Sequence, residues 1–170
     1  QRSARAWISP GEVARRSPLA ALDWRRSPDA LIHAPDRPLS SEQVWENITY
    51  FLQRAVPGAE EAGVKIAAHP DDAPIPSFMG VARILSSPEG LQRLIDTYPS
   101  PCNGLGFCQG TVATMAGVDM VQAIRCFGAQ GKIFFAHFRN PRGQVPSFDE
   151  VFPDEGDTDL LAAVRAYREV

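Results

Sequence analysis

The sequence predicts an α/β fold built on a parallel sheet, and three observations lead there. From Leu39 onward, helical and strand-like stretches alternate in the order α-β-α-β-α-β-α. The strand runs, clearest in "KIFFAHFR", are nearly continuous in apolar residues rather than alternating, the pattern of strands covered on both faces. Polar strand ends at positions 69, 108 and 137 lie 39 and 29 residues apart, about one βα unit each.

Residues 1–38 form an irregular segment with seven arginines and five prolines. The segment predicts loop with one short helix around residues 17–24, and no chemistry. Residues 39–170 form the regular domain. Ser40 and Gln43 make an S-x-x-Q capping box for a helix with Val44, Ile48, Phe51, Leu52, Ala55 and Ala59 at helical spacing; Pro57 bends its last turns and Gly63 is its C-cap. A strand over residues 64–68 follows. Ser87 caps a second helix, with Pro88 in its first position and Leu91, Leu94 and Ile95 as its apolar stripe, ahead of a strand over residues 104–108. A third helix spans residues 118–127, with Val121 and Ile124 inward and Gly128 as its stop, before the strand that ends near His137 to Arg139. Asp157 caps the last helix, whose apolar residues are Leu160, Leu161 and Val164.

Composition narrows the function. A chain of 170 residues, 44% hydrophobic, supports one domain with a true core. A formal net charge of -3 and a pI near 5.6 leave no basic stripe, which points away from nucleic acid and anionic membranes and toward a small metabolite. Three cysteines suit no disulfide framework, and no signal peptide or spanning apolar run is visible, so a cytoplasmic location is expected.

His69, Cys108 and His137 each close a different strand, and in parallel sheets the carboxyl edge is where ligands bind. Two imidazoles and a thiolate there suit a transition metal. The structural alternative is a satisfied histidine or a cysteine acting as a small hydrophobe. Cys102, Cys126 and His33 share no such register and read as incidental. Asp71 and Asp72 read as a turn with one functional aspartate. The acidic run Glu150, Asp154, Glu155, Asp157 and Asp159 is explained by a solvated loop and a helix N-terminus.

Three stretches carry a resemblance: "WENITYFLQRAVPGAEEAGVKIAAHPDDAP", "RILSSPEGLQRLIDTYPSPCNGLGFCQGT" and "FGAQGKIFFAHFRN". Over residues 39–165 the chain resembles the mannonate dehydratase family, whose His-Pro-Asp-Asp, Asn-Gly-x-x-x-Cys-x-Gly and His-x-Arg signatures run in this order. The resemblance implies a (β/α)8 TIM barrel of the xylose-isomerase-like kind, of which this chain supplies three to four βα units. It implies a hydro-lyase using Mn(II) or Fe(II) to convert D-mannonate to 2-dehydro-3-deoxy-D-gluconate in hexuronate catabolism. His69, Cys108 and His137 would be its metal ligands, and Arg83, Asn103 and Arg139 would meet the carboxylate and hydroxyls of the sugar acid. Arg139 and Asp72 are the catalytic candidates.

The reaction suits these residue types. Removing the proton beside a carboxylate and expelling the neighbouring hydroxyl both build negative charge on oxygen; a divalent cation answers both needs, and arginine can fork onto the carboxylate. Donor softness alone would select zinc, the rival to manganese or iron. The family's Arg-Pro-Asp-His-Gly signature and its later tyrosine are absent, and Asp149 and Pro153 stand where the family has histidines. Gln1 at the start and Val170 straight after a helix read as edges of a fragment or of a partly ordered chain. Open sheet edges then call for covering segments or a homo-oligomer. A sugar isomerase or epimerase on the same barrel, and a non-catalytic relic, are the alternative functions.

Overall fold

The structure is a computed structural model and describes residues 21–23 and 37–170. Its centre is a parallel three-stranded sheet in the order β2 (Ile66–Ala68), β5 (Asn103–Cys108), β6 (Ile133–His137). Ile66 pairs with Asn103 and Ala68 with Leu105, while Cys108 pairs with His137. The first predicted strand is shorter than residues 64–68: Val64 belongs to the helix exit, where its N–H donates to the Ala59 carbonyl.

Helix α1 (Ser41–Ala62) starts as the sequence dictates. Ser40 Oγ accepts from the Gln43 N–H and Gln43 Oε1 from the Ser40 N–H, so both members of the capping box are made. The helix runs through Pro57 and ends at Gly63, whose φ of 65° is the left-handed conformation glycine adopts without a Cβ penalty. The buried residues are Trp45, Leu52, Val56 and Ala59, so Leu52 and Ala59 lie inward as predicted, Val44, Ile48 and Ala55 are half-buried, and Phe51 is left exposed. Helix α2 (Pro88–Thr97) has Ser87 as N-cap and buries Leu91, Leu94 and Ile95, as the pattern requires.

Two boundaries differ from expectation. Helix α4 (Met120–Ala129) is capped by Asp119 and contains Gly128 rather than stopping there; a β-carbon on Gly128 would collide with Val170, so this glycine serves the contact with that side chain. Helix α5 (Leu160–Glu169) is capped by Asp159, because the Asp157 carboxylate is already taken by the Gly143 N–H. Its buried residues are Ala163 and Ala166, whereas Leu161 and Val164 lie exposed.

The core lies between the sheet and the helices, with Leu52, Leu91, Leu105, Phe107, Ile124 and Phe127 at its heart. Strand β5 is buried along its whole length despite two glycines. Gly104 and Gly106 face the aromatic rings of Phe134 and Phe135, so closely that a β-carbon would come within 2.6 and 2.5 Å of them. Glycine is thus the side-chain choice that lets the rings approach the strand this closely.

Short elements escaped the periodic reading. Strands β3 (Ser77–Phe78) and β4 (Val81–Ala82) form a hairpin after the His69 loop, helix α3 (Gln109–Thr114) follows β5 directly, and β7 (Arg142–Gln144) and β8 (Ser147–Asp149) form a second hairpin. Strand β1 (Ala21–Asp23) pairs antiparallel with β8. These three residues fall inside the helix expected over 17–24 and are extended instead; the rest of that prediction, and His33, lie outside the described residues. Among the described residues no helix is long and apolar enough to cross a membrane.

Candidate metal centre

The strand ends bring three donors together. His69 follows the last residue of β2, Cys108 ends β5 and His137 ends β6; one ligand atom from each lies within 4.8 Å of the other two. Nε2 of His69 stands 3.2 Å from Nδ1 of His137. Two nitrogens bound at about 2.1 Å to one tetrahedral ion would sit roughly 3.4 Å apart, so the spacing already matches. Nδ1 of His69 lies 2.6 Å from the Pro70 carbonyl; with its proton directed there, Nε2 presents a lone pair to the centre. Cys108 is fully buried while both imidazoles are exposed, giving a cluster closed at its base and open toward solvent. The donor set therefore fits a divalent transition metal, as the sequence pattern suggested.

The adjacent aspartates have separate partners. Asp71 pairs with Arg83 at 3.0 Å, and its other oxygen accepts from the Leu85 N–H at 2.8 Å. It ties the loop after β2 to the segment leading into α2. Arg83 also lies over the Phe78 ring and lines a cleft of about 590 Å³ between α1 and the β3–β4 hairpin. Asp72 instead bonds Nη1 of Arg139 at 2.7 Å.

Arg139, two residues beyond His137, is the hub of the polar wall. Its Nη2 stands 2.7 Å from Oε1 of Glu150, an ion pair without hydrogen-bond alignment, and both Nε and Nη2 are buried. Gln109, itself buried, donates from Nε2 to the Arg139 carbonyl. Gly110 leaves room for the side chain: a β-carbon there would stand 2.6 Å from Cβ of Arg139 and 2.8 Å from its Nε. Burial pulls the guanidinium's pKa down, but Asp72 and Glu150 outweigh it and hold the group above its ordinary value. Burial pushes the Glu150 carboxyl up, Arg139 pulling against it and Asp72 adding to it. The Nε and Nη2 edge of the guanidinium thus faces protein, while Nη1 is bonded to Asp72.

Asn103 is also placed differently from its expectation. It opens β5, five residues from Cys108 and thus about 16 Å away along the strand. It is fully buried, and its amide donates to the carbonyls of Leu94 and Tyr98, which seals the end of α2 against the sheet. The sequence reading missed Gln109, Gly110 and Asn140. Asn140 is buried and staples the 153–158 loop behind Arg139, donating to the carbonyls of Pro153 and Thr158 and accepting from the Thr158 N–H. Tyr167 was also passed over: its hydroxyl is buried without a hydrogen-bond partner, and burial, with a smaller contribution from Cys108, raises the phenol well above its usual range.

Comparison with known proteins agrees with this arrangement. The model of a family described as D-mannonate dehydratase (UxuA) matches residues 32–170. Mannonate dehydratase 2 of Halalkalibacterium halodurans is 38% identical over 135 residues, which are 78% of this chain and 39% of that protein. Mannonate dehydratase of Thermotoga maritima is 36% identical over 135 residues, 78% of this chain and 37% of that one. The crystal structure of mannonate dehydratase from Streptococcus suis serotype 2 superposes with a TM-score of 0.79 at 29% identity, covering 90% of this chain and 47% of that chain. The chain thus spans about two fifths of the length of the curated relatives it matches. With signatures, fold and family match in agreement, the chain belongs to the D-mannonate dehydratase family.

Proposed function

We propose that the chain is part of a metal-dependent hydro-lyase that removes water from D-mannonate to give 2-dehydro-3-deoxy-D-gluconate. The observation that carries this reading is the meeting of His69, Cys108 and His137 at one sheet edge, beside an arginine held between two carboxylates. Residues 39–170 would contribute three to four βα units to a (β/α)8 barrel, with β2, β5 and β6 as neighbouring staves.

His69, Cys108 and His137 would hold the cation, Mn(II) or Fe(II) by family likeness and zinc by donor softness alone. When bound, such an ion supplies Lewis acidity to the substrate oxygens that gain negative charge. Arg139 places a positive charge where the sugar acid's carboxylate would lie, and Asp72, bonded to it, is a carboxylate that could take the proton from the carbon beside that group. As that C–H bond breaks, its electron pair forms the double bond to the next carbon, whose hydroxyl departs and leaves as water. The enol so formed then rearranges to the 2-oxo acid.

The test is to express the protein from its complete reading frame, measure bound metal, and follow conversion of D-mannonate to the 2-oxo-3-deoxy acid. Stoichiometric metal with turnover supports the reading; metal-free protein after incubation with each of the three ions would defeat it.

A further inference from the structure

We propose that Nη1 of Arg139 is a seat occupied in turn by Asp72 and by the substrate carboxylate, so that the arriving anion itself frees Asp72 to act as base. The inference rests on the proposed dehydratase function and adds how its two catalytic candidates are coupled.

The two edges of the guanidinium are unlike. Nε and Nη2 are buried, with Gly110 against the first and Glu150 at 2.7 Å from the second, while Gln109 holds the backbone carbonyl of the same residue. That edge is fixed. Nη1 is the nitrogen left for exchange, and its bond to Asp72 joins two side chains that are 34% and 30% exposed. An ion pair this wet is worth little beyond its solvated parts, so an anion already oriented by other contacts can replace one partner without large cost. Charge acts in the same direction: Arg139 already faces two carboxylates, and a third negative group on Nη1 repels Asp72 from it.

The exchange orders the chemistry. While Asp72 is bonded to Nη1, its carboxylate is directed at the guanidinium and is not available to a substrate carbon. Once displaced, it can accept the proton from the carbon next to the carboxylate that displaced it, both groups having shared one nitrogen. That proton ends on Asp72, the C–H electrons enter the new double bond, and the leaving hydroxide takes a proton from solvent. Glu150 touches no reacting atom in this scheme. It is a positioning residue that keeps Arg139 in place while Asp72 leaves.

Calorimetric titration of the Mn(II)-loaded protein with D-gluconate, a sugar acid of the same length, tests the exchange without turnover. Asp72→Asn removes the competing charge, and D-gluconate should bind more tightly, by up to about fivefold, while turnover of D-mannonate falls by at least about 100-fold. Asp72→Ser provides the same comparison if the first variant folds poorly. Glu150→Gln should weaken D-gluconate about tenfold at unchanged metal content, and Glu150→Asp should recover part of the loss. Unchanged or weaker binding in both Asp72 variants would show that Asp72 holds Arg139 for the substrate rather than yielding to it, and would overturn the proposal. Wild-type protein that neither binds D-gluconate nor dehydrates D-mannonate would instead overturn the functional reading beneath it.

Discussion

Gly110 and Arg139 are in such close contact that a single added methyl on Gly110 would stand 2.6 Å from the arginine Cβ. Carbon atoms do not approach so near, and Nε, at 2.8 Å, blocks a simple sideways shift. Gly110→Ala should therefore move Arg139 off Asp72 and Glu150. The expected outcome is a loss of sugar-acid affinity of about tenfold or more, with metal content unchanged, read by titration and metal analysis. Unaltered affinity would mean that the guanidinium is not the carboxylate's partner.

His137→Ala and Arg139→Lys should separate metal from substrate. The first removes one of three donors, and metal content and turnover should collapse together. The second keeps the charge but cannot span Asp72 and Glu150 with one planar group, so metal should stay while KM rises. A fully active His137→Ala protein would identify His137 as a structural residue.

Glu150 predicts a pH dependence of stability. Its folded pKa lies above the ordinary carboxylate value of 4.5, chiefly through burial. Between the two values the folded chain binds more protons than the unfolded one, so stability from this group is present at low pH and declines as pH rises through the folded pKa. Urea midpoints of wild type and Glu150→Gln measured from pH 4 to 8 should converge at the acid end and separate as pH rises, with the glutamine variant the more stable. A gap that widens toward acid would reverse the assignment.

Asn140 gives a purely structural counterpart. Its amide makes three hydrogen bonds to the 153–158 loop, and Gly156 packs against it too closely to carry a side chain. Asn140→Ala should cost about 1–3 kcal/mol in urea unfolding by leaving those backbone groups unmet, while bound metal is retained.

How far the sequence revealed this site depends on the range of the signal. Ser40, Ser87 and Gly63 act within one helical turn, so their roles could be read locally and the structure shows each of them. The three donors were legible because strand ends recur at βα spacing and parallel strands align their ends. Arg139's surroundings were not, since Asp72, Gln109 and Glu150 approach it from three separate segments. Asn103 was misplaced because a shared signature does not say which end of a strand a residue occupies. Asp157 and Asp159 were equally good caps by type, and the turn at Gly143 decided between them.

The placement of the donors has a consequence for motion. Among the described residues, β2 and β6 are the outer strands of the three-stranded sheet, and each pairs with β5 between them. A cation gripping His69 and His137 would join the two outer strands above the middle one, so β2 could not peel away without first releasing the ion. Amide hydrogens of Ile66–Ala68, in a strand of three residues that should otherwise open readily, would then exchange more slowly in proportion to the free cation, about tenfold for each tenfold excess over its dissociation constant.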